Sequence, residues 1–420
     1  MAAQIHTKFT NEQVKDLLGK YLNHTVERKY IQEILGIKKS RFFELVQSYR
    51  KDPGAFSVDY KRSAEAKRIP TEIQNNIIKE LAIDRKAIQN KDIPLYRYNY
   101  SYVQKRLEEK HGQTAAVSTI IQYAKANGFH LPKRHKPKTH DREVLTTHAG
   151  ELIQHDASYH LWAPDSGVKW TLITSLDDYS RCLLYAQLVE RESSWTHIQA
   201  LQSVVMKHGA PVAFYTDCHS IFRYIKGRDQ RHHSYAKFTD DIDPQWKLVM
   251  KDCGIRPVYA LSPQAKGKIE RPYGWLQDHL VRTCIRENVK DIAHAQRVLN
   301  YERERYNYKQ IHSTTREIPS RRFNSALEAK KSLFRPWVIP KPFLSLRDIF
   351  ALRTQRFVDN YHSVTIRNLH IKLTSVEPQR PVHIRIYILD QDFYELRFWY
   401  NGRLIKVERI KNKDLLPVHF

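Results

Sequence analysis

The apolar positions of this chain change period along its length, and the changes mark its parts. Near the N-terminus the period is helical. Thr10 with Gln13 three positions on is a capping-box pattern. Tyr30, Ile31, Ile34 and Leu35 then share one helix face, and Gly36 breaks it. A second helix from about Lys38 carries Phe42, Phe43, Val46 and Tyr49 as its apolar positions. Residues 1–55 therefore read as helical throughout 10–52 with one glycine turn, a helix-turn-helix. Residues 56–69, basic and preceded by Pro53-Gly54, read as a linker. The helical period resumes over 70–130, in three helices carrying Ile73, Ile77, Ile78 and Leu81, then Tyr102, Val103 and Leu107, then Val117, Ile120, Ile121 and Tyr123, with Gly128 as the stop. The Gln113-Thr114-Ala115 turn makes this a second helix-turn-helix-like unit. Residues 131–145 are basic, contain prolines and lack an apolar face, as a linker does.

From 146 the pattern alternates. Residues 151–158, 168–176 and 182–189 read as strands, the last two as a hairpin around the turn at Asp177–Arg181. A helix over 194–208 buries Trp195, Ile198, Leu201, Val204 and Val205. Short strands at 211–217 and 257–262 follow, then a helix through Glu270 with Tyr273, Leu276, Leu280 and Val281, and a charge-rich helix over 290–308. Strands mixed with helices predict an α/β core with a central mixed sheet over 146–325. From 340 to 420 short alternating runs and the Asn401-Gly402 hairpin signal predict a small β-barrel, with Tyr394, Phe398, Trp399 and Tyr400 as its aromatics.

Composition sharpens this picture. Lys plus Arg number 70 against 45 for Asp plus Glu, a formal charge of +25, which calls for a polyanionic partner. DNA, RNA and an anionic membrane are the candidates; no apolar run is long enough to span a bilayer and the N-terminus has no signal-peptide core, which weakens the membrane reading and favours a cytosolic or nucleoid-associated protein. The four cysteines, Cys182, Cys218, Cys253 and Cys284, form no CxxC pair and are expected to be buried reduced thiols. His232-His233 sits among polar and basic residues and reads as loop.

Three acids carry the candidate chemistry. Asp156 is expected to end the first strand, Asp217 the fourth, and Glu270 to lie near the start of a helix. Side chains at strand ends can converge at one sheet edge, reachable and rigidly held. Crowded carboxylates repel and take up protons unless divalent cations offset the charge. Mg²⁺ accepts a few carboxylate oxygens and keeps other positions for water and phosphate. Two such ions about 3.5–4 Å apart can assist both the attacking and leaving oxygens of a phosphodiester displacement. Each acid alone is equally at home as a cap or turn residue, and Asp177 and Asp178 are rivals that fit a turn better.

The words around these acids resemble those of a known family. Gln154-His155-Asp156, Leu176-Asp177-Asp178-Tyr179-Ser180-Arg181, Thr216-Asp217 with Ser220-Ile221-Phe222, Gly254-Ile255, and the run from Leu261 to Arg271 are similar to bacterial insertion-sequence transposases with a retroviral-integrase-type core. The resemblance covers about 140–320. It implies a ribonuclease-H-like fold, a metal-binding catalytic triad of Asp156, Asp217 and Glu270 using two Mg²⁺ or Mn²⁺ ions, and strand cleavage followed by strand transfer. The chain departs from the pattern in spacing: Asp217 follows Asp156 by 61 positions and Glu270 follows Asp217 by 53, the second interval being the longer than usual one. The extra length falls in 225–246, expected as a surface loop or short hairpin.

Supporting roles follow. Lys38, Lys39 and Arg41 on the second helix are candidate DNA contacts, as are Lys266, Lys268 and Arg271 beside Glu270; His219 is a candidate for positioning substrate. The expected partner is double-stranded DNA, the element's own ends and a target, handled by a homo-oligomer because two ends must be joined. Two other readings compete: a DNA-binding regulator with an idle core, and a nuclease without joining activity.

Overall fold

The computed structural model describes residues 5, 8–59, 69–132, 146–216, 245–259, 267–366 and 369–411, leaving the side chains of 267–271 outside the description. Two compact units result, Met1–Pro70 and Thr71–Phe420.

The first unit is three helices: α1 (Asn11–Leu22), α2 (Arg28–Leu35) and α3 (Lys39–Lys51). The capping box at Thr10 is present, with the hydroxyl accepting from the Gln13 amide. The expected single helix before Gly36 is two, because the chain turns at His24, whose φ is +60°. Gly36 closes α2 in the left-handed region at φ +64°, where a side chain would strain the backbone. Val14, Leu18, Ile31, Leu35, Phe42 and Val46 make a core within this unit.

The second unit begins with α4 (Thr71–Gln89), α5 (Tyr100–His111) and α6 (Val117–Ala126). Three strands follow, β1 (Leu152–His160), β2 (Trp170–Asp177) and β3 (Leu183–Val189), then α7 (Ser194–His208), β4 (Ala213–Thr216), α8 (Gln245–Asp252), β5 (Arg256–Tyr259), α9 (Gly267–Arg286), α10 (Ile292–Tyr308) and α11 (Pro319–Glu328). The sheet order is β3-β2-β1-β4-β5, antiparallel through the first three and parallel from β1 to β5. This is the expected mixed sheet, with β1 at its centre. One apolar layer packs α7 and α8 on the sheet through Ile198, Leu201, Trp246 and Val249, and a second packs α9 and α10 on Leu172 and Leu176 through Leu276, Leu280 and Leu299.

Of the expected insertion at 225–246, all but the last two residues lie outside the described ones. Those two are not surface loop: Gln245 opens α8, and Trp246 is fully buried against Phe214 and His155. Helices α8 and α11 were not anticipated.

Helices α4 and α5 dock onto α9 and α10 through buried charge. Glu80 and Asp84, one turn apart on α4, meet Arg282 and Arg286, one turn apart on α9. The Asp84 carboxylate lies 2.7 Å from Arg282 and 2.6 Å from Arg286. Lys105 of α5 pairs with Glu302 of α10, both buried, and Glu302 also accepts from the Thr283 hydroxyl at 2.9 Å. Burial and the surrounding cations act against each other on the two acids: desolvation wins at Asp84, whose pKa is raised, while at Glu80 desolvation is outweighed by Arg286, Arg106 and Lys110 together, which lower it.

After α11 the chain is stitched back to the sheet by paired backbone bonds, Ala210 with Arg335 and Ala149 with Lys331 and Leu333. A Cβ at Gly209 would sit 2.4 Å from the Arg335 carbonyl oxygen, and its φ is +93°, so this close approach requires glycine. Beyond α12 (Leu346–Ile349) come β6 (Leu352–Phe357), β7 (Ser363–Ile366), β8 (Leu369–Lys372), β9 (Pro381–Ile388), β10 (Phe393–Tyr400) and β11 (Arg403–Lys411). The β10–β11 hairpin forms at Asn401-Gly402, both at positive φ as such a turn demands. The expected barrel does not. Among the described residues, β11-β10-β9-β6 is an open four-stranded sheet and β7-β8 a separate pair. Among the described residues β6 and β11 are the edge strands and no closed sheet forms. The apolar face of this sheet joins the α7–α8 layer.

Candidate active site

Asp156 lies on the central strand, but not at its end. It is the fifth of the nine residues of β1, which runs on to His160. A strand presents alternate residues to opposite faces. His155 is fully buried on one face, stacked on Trp246 with ring centroids 4.8 Å apart, and hydrogen-bonded to Ser175 at 2.9 Å and His197 at 2.8 Å. His197 in turn reaches Glu192 at 2.9 Å. Asp156 takes the opposite face and is partly exposed. Its cross-strand partner is Thr174, and partners directly opposite share a face.

That face is covered by α9. The Thr174 hydroxyl donates to the Tyr273 hydroxyl at 2.9 Å, and Tyr273 donates to the backbone carbonyl of Asp156 at 2.7 Å, with the Leu172 carbonyl further off at 3.4 Å. Tyr273 stands three residues after Glu270 on the same helix. On the other side of β1, the parallel register pairs Gln154 with Tyr215, and β4 ends at Thr216. The structure thus brings together the strand that carries Asp156, the end of the strand that precedes Asp217, and the first turns of the helix that carries Glu270.

Several expected residues fall outside this description. Asp217, His219 and Lys266 lie outside the described residues, as do the side chains of Lys268, Glu270 and Arg271; Glu270 itself is in the first turn of α9. Among the described residues no group of three His, Cys, Asp or Glu side chains is placed to hold a metal ion. Cys218, His232 and His233 are likewise outside, while Cys182, Cys253 and Cys284 are buried free thiols.

The rival acids have structural work. Asp177 is fully buried and accepts from the Gly150 amide at 2.8 Å, the Ser180 amide at 2.9 Å and the Ser180 hydroxyl at 2.5 Å. Burial pushes its pKa up to about 6 against these hydrogen bonds. Asp178 accepts from Gln154 at 2.6 Å, Arg181 at 2.7 Å and Thr146 at 2.7 Å. Both hold the β2–β3 turn and the chain entering β1.

Sequence reasoning treated Tyr273 as an apolar helix position and missed its hydroxyl. A signal was available: a tyrosine on a buried face needs a partner for its O–H, and this one is a turn from Glu270. In the first unit Lys38, Lys39 and Arg41 are exposed at the start of α3, with Arg41 paired to Glu44 at 2.8 Å.

No family model matches the chain. Among characterised sequences, it is 29% identical over 275 residues to a protein named as a transposase, y4bF of Sinorhizobium fredii, covering 66% of this chain and 55% of that one. It is 30% identical over 159 residues to the transposase for insertion sequence IS1202 of Streptococcus pneumoniae, covering 38% of this chain and 32% of that one. Of solved structures, the simian T-cell lymphotropic virus intasome bound to PP2A regulatory subunit B56 gamma overlaps 73% of this chain and 94% of that one at 15% identity and a TM-score of 0.34. The HTLV-2 integrase catalytic core with magnesium overlaps 43% of this chain and 98% of that one at 15% identity and 0.30. These overlaps are too loose to carry an argument about this chain. The sequence matches span about half the length of the first curated relative and a third of the second. By sequence, then, this chain is similar to transposases, one of them the transposase of an insertion sequence.

Proposed function

We propose that this chain is a DNA transposase of ribonuclease-H-like core, cutting one strand at the ends of its own element and joining the exposed end to a target. One observation supports the reading above the rest: the Tyr273–Asp156 hydrogen bond, which ties the helix of Glu270 to the strand of Asp156 at the sheet centre. The residues present suit a hard divalent cation. Asp156 offers carboxylate oxygens from a rigid central strand, and the described cysteines are buried and contribute no soft ligand. Asp156, Asp217 and Glu270 would hold two Mg²⁺ or Mn²⁺ ions, which when bound polarise an attacking oxygen and stabilise a leaving one.

In the first step water attacks a phosphorus, the bond to the 3′-oxygen breaks, and a free 3′-hydroxyl results. In the second that hydroxyl attacks a target phosphodiester, so one phosphodiester bond forms as another breaks and no nucleotide cofactor is consumed. The chain's own residues hold and orient. Lys38, Lys39 and Arg41 would contact the terminal repeats, and Lys266, Lys268 and Arg271 the phosphates near the cleaved bond, with His219 placing the substrate. Joining two ends calls for two or more copies of the chain.

The test uses labelled element ends with Mg²⁺. Asp156→Asn, Asp217→Asn and Glu270→Gln are each expected to abolish nicking and strand transfer while end binding persists. Full activity in any one of them refutes the site; nicking without joined product in the wild type would instead indicate a nuclease.

A further inference from the structure

Helix α9 contains a proline at its sixth position, Pro272, and the tyrosine hydroxyl that reaches the sheet comes directly after it. Proline has no N–H, so the carbonyl of Lys268 receives no helical hydrogen bond from residue 272. The ladder that would fix the first turn of α9 to the rest of the helix lacks a rung at the turn that carries Glu270. Immediately beyond that gap, Tyr273 is 6% exposed and locked to two neighbouring strands. It accepts from Thr174 of β2 at 2.9 Å and donates to the Asp156 carbonyl of β1 at 2.7 Å. Its single proton goes to the carbonyl of the residue whose carboxylate is the first of the proposed triad. The phenol ring packs with Leu172, Leu176 and Leu276, which leaves the oxygen little freedom to shift.

We propose that Tyr273 is a positioning residue for the metal site. Its hydroxyl, oriented by Thr174, sets the separation between the strand of Asp156 and the helical turn of Glu270, and with it the spacing of the oxygens that hold the ions. The role rests on the metal-dependent reading above. Groups that orient metal ligands without touching the metal commonly cost about 10–100-fold in affinity when lost. Tyr273 acts through the backbone of a ligand rather than its carboxylate, which points to the lower end of that range.

The experiment measures Mn²⁺ binding directly, by electron paramagnetic resonance of the free ion, on the full chain mixed with element-end DNA. Tyr273→Phe removes only the oxygen and is expected to weaken Mn²⁺ binding roughly tenfold. Its DNA affinity should stay close to that of the wild type, and its melting temperature should fall about as far as that of Tyr102→Phe. Thr174→Val leaves the Tyr273–Asp156 bond in place and is expected to weaken Mn²⁺ binding about twofold. Tyr102→Phe is the control: Tyr102 bonds Thr283 at 2.9 Å near the other end of the same helix, so it should lower stability and leave Mn²⁺ binding unchanged. Tyr273→Phe binding Mn²⁺ as well as the wild type overturns the role, and so does an equal loss in Tyr102→Phe. A wild-type chain that binds no Mn²⁺ overturns the metal reading and this role together.

Discussion

The two N-terminal helical regions look alike as sequences and differ in where their charges go. Helices α1–α3 close an apolar core of their own, and their ion pairs sit in water, Asp16 with Lys20 at 2.7 Å and both more than half exposed. Helices α4–α6 also bury apolar residues of their own, Ile77, Leu81, Val103, Leu107, Ile120 and Ala124, but they add a second contact to α9, with Ala87 and Leu95 on Val281 and with Glu80, Asp84 and Lys105 buried beside it. Those charges are matched from α9 and α10 by Arg282, Arg286 and Glu302. Exposed pairs contribute about 0–1 kcal/mol, and buried pairs do little better than well-packed apolar groups, but a buried pair that loses one member is strongly destabilised. The contrast teaches that apolar burial holds each region together, while the second adds a charge match that selects one specific partner face.

The largest expected effect would break the second half of that comparison. Asp84→Ala or Arg282→Ala strands a buried charge and should lower stability by about 3–5 kcal/mol. Chemical unfolding followed by tryptophan fluorescence reads this cleanly, because all seven tryptophans lie at Trp162 or beyond. A loss below about 1 kcal/mol would place the cluster in the class of surface pairs. Next, Leu18→Ala in the apolar core of the first unit should cost about 2–5 kcal/mol. That loss should appear in circular dichroism and leave the tryptophan transition where it was; a shifted tryptophan transition would show that the first unit does not hold itself together. The smallest effect sharpens the local picture. Thr10→Ala removes the cap of α1 and should cost about 1 kcal/mol, again visible only in the circular dichroism signal.

The charged docking face was written in the sequence and passed over. Ile77, Glu80, Leu81 and Asp84 fall on one helical stripe, so two acids share the face that must be buried, and Arg282 and Arg286 repeat the same one-turn spacing with opposite sign. What local pattern did predict well was element type. The five core strands, the helix of Glu270 and the Asn401-Gly402 hairpin all appear where period and turn chemistry put them. What it missed depends on contacts distant in sequence. Alternation in β6–β11 says which residues face inward, not whether two edge strands meet, so a barrel was expected where the described strands form an open sheet and a separate pair. Helix α8 spans eight residues, too few for a period to stand out, and its place is fixed by Trp246 stacking on a histidine ninety-one positions earlier (246 − 155). At the candidate site the motif words singled out Asp156 as a candidate, but its place within β1 was set by how far the pairing with β2 runs, to His160 opposite Trp170.

The alternation on β1 has a consequence for how such a gene can drift. His155 and Asp156 are neighbours in sequence, yet one is sealed beneath an indole and the other faces the helix of Glu270. Losing or gaining a single codon upstream within that strand would exchange them, seating an ionised carboxylate in the apolar layer and an imidazole where the cation is expected. Point changes around Asp156 can be absorbed one at a time, whereas frame-preserving length changes there cannot. Relatives of this chain should therefore vary in spelling along β1 while keeping its residue count.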